Sequence, residues 1–163
     1  MQVSLEQIFN IPGSSREFNY SFTPEYSLSD DFCLTSPISF KGRVVNTAGI
    51  VTLDGQAEFT AAVMCSRCAE EFQKAFKVSV QHTIVFELND EDNDEFILVE
   101  NKELDLDALI CEDTVLSLPF TFLCKEDCKG ICSQCGKNLN EGACGCKKPI
   151  DPRMAALLDL LDD

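Results

Sequence analysis

Ala57-Glu58-Phe59-Thr60-Ala61-Ala62-Val63-Met64-Cys65-Ser66-Arg67-Cys68 is followed, after a short polar interval, by Phe76-Lys77-Val78-Ser79-Val80-Gln81-His82-Thr83-Ile84-Val85-Phe86. In the first run Ala57, Phe59, Ala61, Val63 and Cys65 alternate with Glu58, Thr60, Ala62 and Met64. In the second, Phe76, Val78, Val80, His82, Ile84 and Phe86 alternate with Lys77, Ser79, Gln81, Thr83 and Val85. Side chains along a strand point to opposite faces in turn, so a period of two marks a strand with one buried face. Two long antiparallel strands joined by the segment from Cys65 to Glu71 are therefore expected. Upstream, Phe40 to Val45 and Ile50 to Leu53 supply shorter partners around turns at Asn46 and Gly55. The first thirty-six residues, broken at Pro12, Gly13 and Pro24, carry Phe18, Tyr20 and Phe22 without a sustained period and read as an entry strand and a loop.

Downstream, Asn89 to Glu95 is an acidic, self-repelling loop. A calcium loop is set aside there, because neither the glycine of the sharp turn nor the closing glutamate falls at the required offset. Phe96 to Val99 reads as a short strand. Asp105 is the N-cap of a helix with two apolar stripes: Leu106, Leu109, Ile110 and Leu116, and Ala108, Cys111, Val115 and Leu118. Such a helix is expected to be buried on most sides, and Pro119 ends it. Asp151-Pro152 opens a last helix whose Met154, Leu157, Leu158 and Leu161 form one stripe that needs a partner surface. The fold class that follows is α+β: an antiparallel, barrel-like sheet with a packed helix, a zinc-binding cysteine-rich loop and a C-terminal helix. The expected division is a core domain with an N-terminal extension over 1–123, a cysteine-rich zinc segment over 124–148 and the helix over 149–163.

Ten cysteines set the chemistry. Four thiolates are what a tetrahedral zinc site requires, and a CxxC turn followed by a second pair delivers them. Cys132 and Cys135 flank a turn closed by Gly136, which can take positive φ, and Cys144 and Cys146 are separated by one glycine. These four form the primary quartet. Cys65 and Cys68 lie at the turn between the long strands, and with Cys124 and Cys128 they make a second quartet once the isolated Cys33 and Cys111 are set aside. One zinc with spare thiols is the plainer alternative. A disulfide pair conflicts with the reducing compartment expected below, and an iron–sulfur cluster would use the same four sulfurs. A redox pair at Cys65 and Cys68 would call for a helix N-terminus after the strand, and the pattern gives a second strand instead.

The start, Met1 to Glu6, lacks a positive n-region and an apolar h-region, and no eighteen apolar residues run together, so neither export nor a membrane span is expected. A cytoplasmic location with reduced thiols follows. The formal net charge is −15, and twelve acidic residues against the single base Lys102 fall between Glu87 and Asp113. That stretch suits a basic protein partner, while Lys41, Arg43, Arg67, Lys147 and Lys148 are candidate contacts to RNA phosphate. Lysines of the cysteine-rich tail equally serve to neutralise a four-thiolate zinc centre. No nucleophile motif, phosphate loop or HExxH is present, so neither an enzyme nor a small-molecule substrate is expected. His82, in the apolar register of its strand, reads as a hydrogen-bonded core histidine.

The Cys65-Ser66-Arg67-Cys68 hairpin, the Leu104-Asp105-Leu106 helix start with its Leu118-Pro119 end, and Asp151-Pro152-Arg153 before a leucine stripe together resemble the YceD family, from roughly Phe40 to Leu161. The resemblance implies a bacterial and plastid family linked to accumulation of 23S ribosomal RNA, whose gene commonly neighbours that of a small zinc-ribbon protein of the large subunit. It implies a non-catalytic role in large-subunit assembly, with a large-subunit ribosomal protein or 23S rRNA as partner and Arg67 as a polar anchor. Many family members lack the stretch from Cys124 to Cys146, so zinc there is a subgroup's staple. A thiol-based redox or metal-relay protein using the CxxC pairs is the alternative.

Overall fold

A computed structural model describes residues 1–25, 28, 32–87 and 96–146. The expected acidic loop over 89–95 and the expected C-terminal helix lie outside the described residues. The α+β class holds, with strands dominating and one sheet curled into half a barrel.

The long alternating runs form β5 (Ile50–Met64) and β6 (Glu71–Val85), paired antiparallel from Val51↔Ile84 to Met64↔Glu71. β4 (Ile38–Thr47) lies on the other side of β5, and β2 (Ser15–Phe22) lies outside β4. β3 (Phe32–Leu34) pairs with β5 beyond the end of β4. β7 (Phe96–Leu98) adds to β6 as a parallel pair, so the otherwise antiparallel sheet has one parallel edge. A separate ribbon joins β1 (Gln2–Ser4) to β8 (Glu103–Asp105), with α1 (Glu6–Asn10) following β1.

Two expectations are corrected here. Gly55 is not a turn: β5 runs straight through it, opposite Gly42. A Cβ on Gly55 would come within 2.4 Å of Phe40 Cζ, and one on Gly42 within 2.6 Å, so the absent side chains make room for a ring that lies across both. Full burial of that ring is worth roughly 1.5–3 kcal/mol. The true turn is Ala48-Gly49, where φ is +54° and +96°, the positive pair that matches the twist of a two-residue hairpin. Buried Asn46 secures it: Oδ1 accepts from Gly49 N at 2.8 Å, while Nδ2 donates to the Ile8 carbonyl at 2.6 Å. The N-terminal region also holds more than an entry strand and a loop, since β1, α1 and β2 all precede β3, and β2 is held by pairing with β4. Its Phe18, Tyr20 and Phe22 do alternate inward.

α2 (Leu106–Ser117) starts on Asp105, whose carboxylate accepts from Ala108 N at 3.3 Å, and ends before Pro119. It buries Leu106, Leu109, Ile110, Cys111 and Thr114 against the concave face with Ile38, Phe40, Val44, Leu53, Val80 and Ile84. Among the described residues, only one side of this helix is covered. Of its expected second stripe, Ala108 and Val115 are exposed, as is Leu116 of the first, because the sheet is a single layer and offers one surface. His82 Nε2 meets Asp113 Oδ2 at 2.8 Å, fixing α2 on β6 as a partnered histidine would. No helix among the described residues is long and apolar enough to cross a membrane.

Candidate metal centres

The link between β5 and β6 is a knuckle. Cys65 N donates to the Glu70 carbonyl at 2.8 Å and Ala69 N to the Cys65 carbonyl at 2.9 Å, with Ala69 at φ +57° turning the chain back. The segment after α2 docks on this knuckle through two bonds: Ser66 N to the Phe122 carbonyl at 2.8 Å, and Phe122 N to Ser66 Oγ at 3.1 Å. Phe122, buried and edge-on to Phe76, anchors it in the core. That docking carries Cys124 and Cys128 to the hairpin.

Four sulfurs then meet, those of Cys65, Cys68, Cys124 and Cys128, all within 4.8 Å of one another. Cys65 and Cys128 are 3.8 Å apart, and Cys68 and Cys124 3.6 Å. Four ligands at a zinc–sulfur distance of about 2.3 Å on a tetrahedron stand about 3.8 Å apart, so the donor set fits a tetrahedral ion. A disulfide would need about 2.05 Å, well short of the separations between these four sulfurs. Cys65, Cys68 and Cys128 are buried and Cys124 half-buried. Backbone N–H groups of Cys68, Cys124 and Arg67 pull the Cys65 thiol down to about 6. The Glu70 amide also favours the Cys68 thiolate, yet burial and the Cys65, Cys124 and Cys128 sulfurs push that thiol up to about 12. Crowded thiols cannot all ionise alone, and a divalent cation is what would let them.

Cys132, Cys135, Cys144 and Cys146 form a second group, also within 4.8 Å. Gly136 N donates to the Cys132 carbonyl at 2.9 Å and Cys132 N to the Lys137 carbonyl at 2.8 Å, with Gly136 at φ +71° closing the turn. Amides of Cys135 and Gln134, then the Cys144 thiol, draw Cys132 down to about 6. The Cys135 sulfur, followed by burial, pushes Cys146 up to about 12. This group is more open, with Cys135 and Cys146 exposed. Both groups could hold a metal ion.

Arg67 is exposed, but its Nη1 donates to the Cys128 carbonyl at 3.0 Å, and its own carbonyl accepts from Ile131 N at 3.1 Å. Gly130, at φ +74°, passes so close that a Cβ would lie 3.0 Å from the Arg67 carbonyl oxygen. Arg67 thus helps to hold the first group together. Lys41 and Arg43 are exposed on β4, beside an open depression that Glu17, Asn19 and Asp54 also line. Lys41 pairs with Gln56, about 30 Å along β5 from the knuckle at strand spacing, so the structure does not bring these cations to Arg67. Lys147 and Lys148 lie outside the described residues. Sequence reasoning missed Ser66, Gly130 and Asn140, whose Nδ2 lies 3.3 Å from Cys128 Sγ. Only Gly130 left a signal, as a glycine two residues after Cys128. Cys65 and Cys68, 2% and 5% exposed, are closed to the partner thiol that a redox pair must reach.

The family model described as "Large ribosomal RNA subunit accumulation protein YceD" matches residues 53–161, from β5 through both cysteine groups. An uncharacterised protein of Mycobacterium tuberculosis (strain ATCC 25618 / H37Rv) is 29% identical over 123 residues, 73% of this chain and 59% of that protein. One from Mycobacterium leprae (strain TN) is 25% identical over 130 residues, 77% of this chain and 60% of that protein. The chain thus spans about three-fifths of the length of these mycobacterial relatives. A protein of Arabidopsis thaliana named "Large ribosomal RNA subunit accumulation protein YCED homolog 1, chloroplastic" is 40% identical over 47 residues, 29% of this chain and 15% of that protein. No solved structure matches significantly.

Proposed function

This chain belongs to the YceD family, and from that premise we propose that it is a non-catalytic cytoplasmic factor that supports 23S rRNA accumulation and assembly of the large ribosomal subunit, with zinc in its cysteine quartets as a structural metal. The observation that carries this reading is the span of the family match, which takes in the knuckle, α2 and the cysteine-rich segment at once. The name of the Arabidopsis relative points the same way. Zinc is favoured among metals because a four-sulfur tetrahedral set selects zinc or iron–sulfur centres, and knuckle turns enclose one ion rather than a cluster.

Two contacts serve such a role. The acidic residues between Glu87 and Asp113 suit a lysine-rich ribosomal protein, and the net charge of −15 favours that partner over RNA. Lys41, Arg43, Arg67, Lys147 and Lys148 would carry an RNA contact instead, with Arg67 presented at the tip of the longest hairpin. The test is the 23S to 16S rRNA ratio in cells depleted of this protein, complemented with wild type or with Arg67→Ala. The reading expects the ratio to fall on depletion and to recover with the wild-type copy. An unchanged ratio on depletion would overturn it. Failure of the Arg67→Ala copy, at equal protein level and equal zinc content, would put the contact on the hairpin rather than in metal retention.

A further inference from the structure

Asn140 sits in the loop between Cys135 and Cys144, which belongs to the open quartet, yet its side chain reaches the buried one. Its Nδ2 lies 3.3 Å from Cys128 Sγ, and its Oδ1 accepts from Lys129 N at 2.9 Å. The Lys129 amide can only donate, so the atom facing it must be the oxygen, and the amide NH2 must therefore face the sulfur. The Cys128 sulfur is thereby an acceptor, the role of a metal-bound thiolate. Asn138 Oδ1 locks the arrangement by accepting from both Asn140 N and Asn140 Nδ2 at 2.9 Å.

The loop itself is tied to the buried quartet by backbone. Leu139 N donates to the Gly130 carbonyl at 2.8 Å, and Ile131 and Asn138 form an antiparallel bridge. The two quartets are thus separate in ligands but share one hydrogen-bonded loop. They also differ in construction. The buried quartet draws its ligands from the core hairpin and the docked segment, whereas the open one takes all four from residues 132–146 and exposes two of them.

Resting on the metal reading above, we infer that the quartets bind zinc hierarchically: the open site exchanges first, and its loading holds Asn140 on Cys128 and so slows zinc loss from the buried site. An amide N–H on a ligating sulfur stabilises the thiolate and orients it. Partners of this outer kind typically matter about 10–100-fold in metal affinity.

The experiment uses the full chain loaded with zinc and measures release to a chromogenic chelator, 4-(2-pyridylazo)resorcinol. Wild type should hold two zinc ions per chain and release them in two phases, a fast one from the open site and a slow one from the buried site. Asn140→Ala should speed the slow phase about tenfold or more while the fast phase stays unchanged. Asn140→Asp keeps the oxygen for Lys129 N but turns a second oxygen on the sulfur, and should speed the slow phase at least as much. A role limited to ordering the loop would speed the fast phase as well, because the same loop joins Cys135 to Cys144 of the open site. Cys144→Ser with Cys146→Ser should leave one zinc, released at the slow-phase rate of Asn140→Ala. A slow phase unmoved in all three variants would overturn the coupling while leaving the metal reading intact, whereas a wild-type chain that retains no zinc would overturn both.

Discussion

At Gly55 a hydrogen in place of a side chain lets the Phe40 ring lie against the backbone. Gly55→Ala puts a methyl group 2.4 Å from that ring and should cost about 1–3 kcal/mol by overpacking, read by urea denaturation. Trimming the ring in the same chain, Phe40→Leu, should recover part of the loss, because the two sites are in contact and their effects cannot add. Asp105 gives a second test. The Ala108 amide, ahead of other causes, holds its carboxyl below the ordinary carboxylate value. A depressed folded value means the contribution is complete above the ordinary range and disappears as pH falls through the lowered value. Asp105→Ala should therefore cost about 1 kcal/mol at neutral pH, and the gap to wild type should close under acid, followed by thermal melts across pH. The cap could be read in the sequence because an N-cap depends on neighbours three residues away. Gly55 could not, since what fills its empty space is a ring from another strand.

Among elements, the knuckle and the segment from Pro119 to Ile131 depend on each other. Ser66 and Phe122 exchange two hydrogen bonds, and the buried sulfurs close the same contact. Stripping metal with a chelator should raise hydrogen exchange at Ser66, Phe122 and Ile131 while the β4–β5 ladder stays protected, measured by exchange mass spectrometry. Equal exchange with and without chelator would mean that the docking stands without metal. The long strands were legible because alternation is a local signal. Spacing and counting in fours suggested how the cysteines group, but not that the hairpin meets Cys124 and Cys128, because the contact between Ser66 and Phe122 that joins them is long-range. The one-sided burial of α2 was not legible, because a helix with apolar residues on two faces reveals nothing of how many layers surround it. The pairing of β2 was hidden for a similar reason: its place is fixed by β4, and its own period is short.

For the molecule as a whole, a net charge of −15 on 163 residues makes the folded chain repel itself. Screening reaches within about 10 Å at 0.1 M salt, so raising sodium chloride from low to physiological levels should raise Tm by a few degrees, a shift expected of roughly 1 kcal/mol in a domain this size. A Tm that falls with salt would show that attractive ion pairs dominate instead.

The buried quartet joins segments 56 to 63 residues apart in the chain. A ribosome adding about 5–20 residues per second spends roughly three to twelve seconds between the first pair of cysteines and the second. Throughout that interval the nascent hairpin carries two thiols of a clasp whose other half has not been translated. The clasp can close only after Cys128 has been translated, so a chain released before that point leaves the ribosome with its hairpin finished and its clasp open.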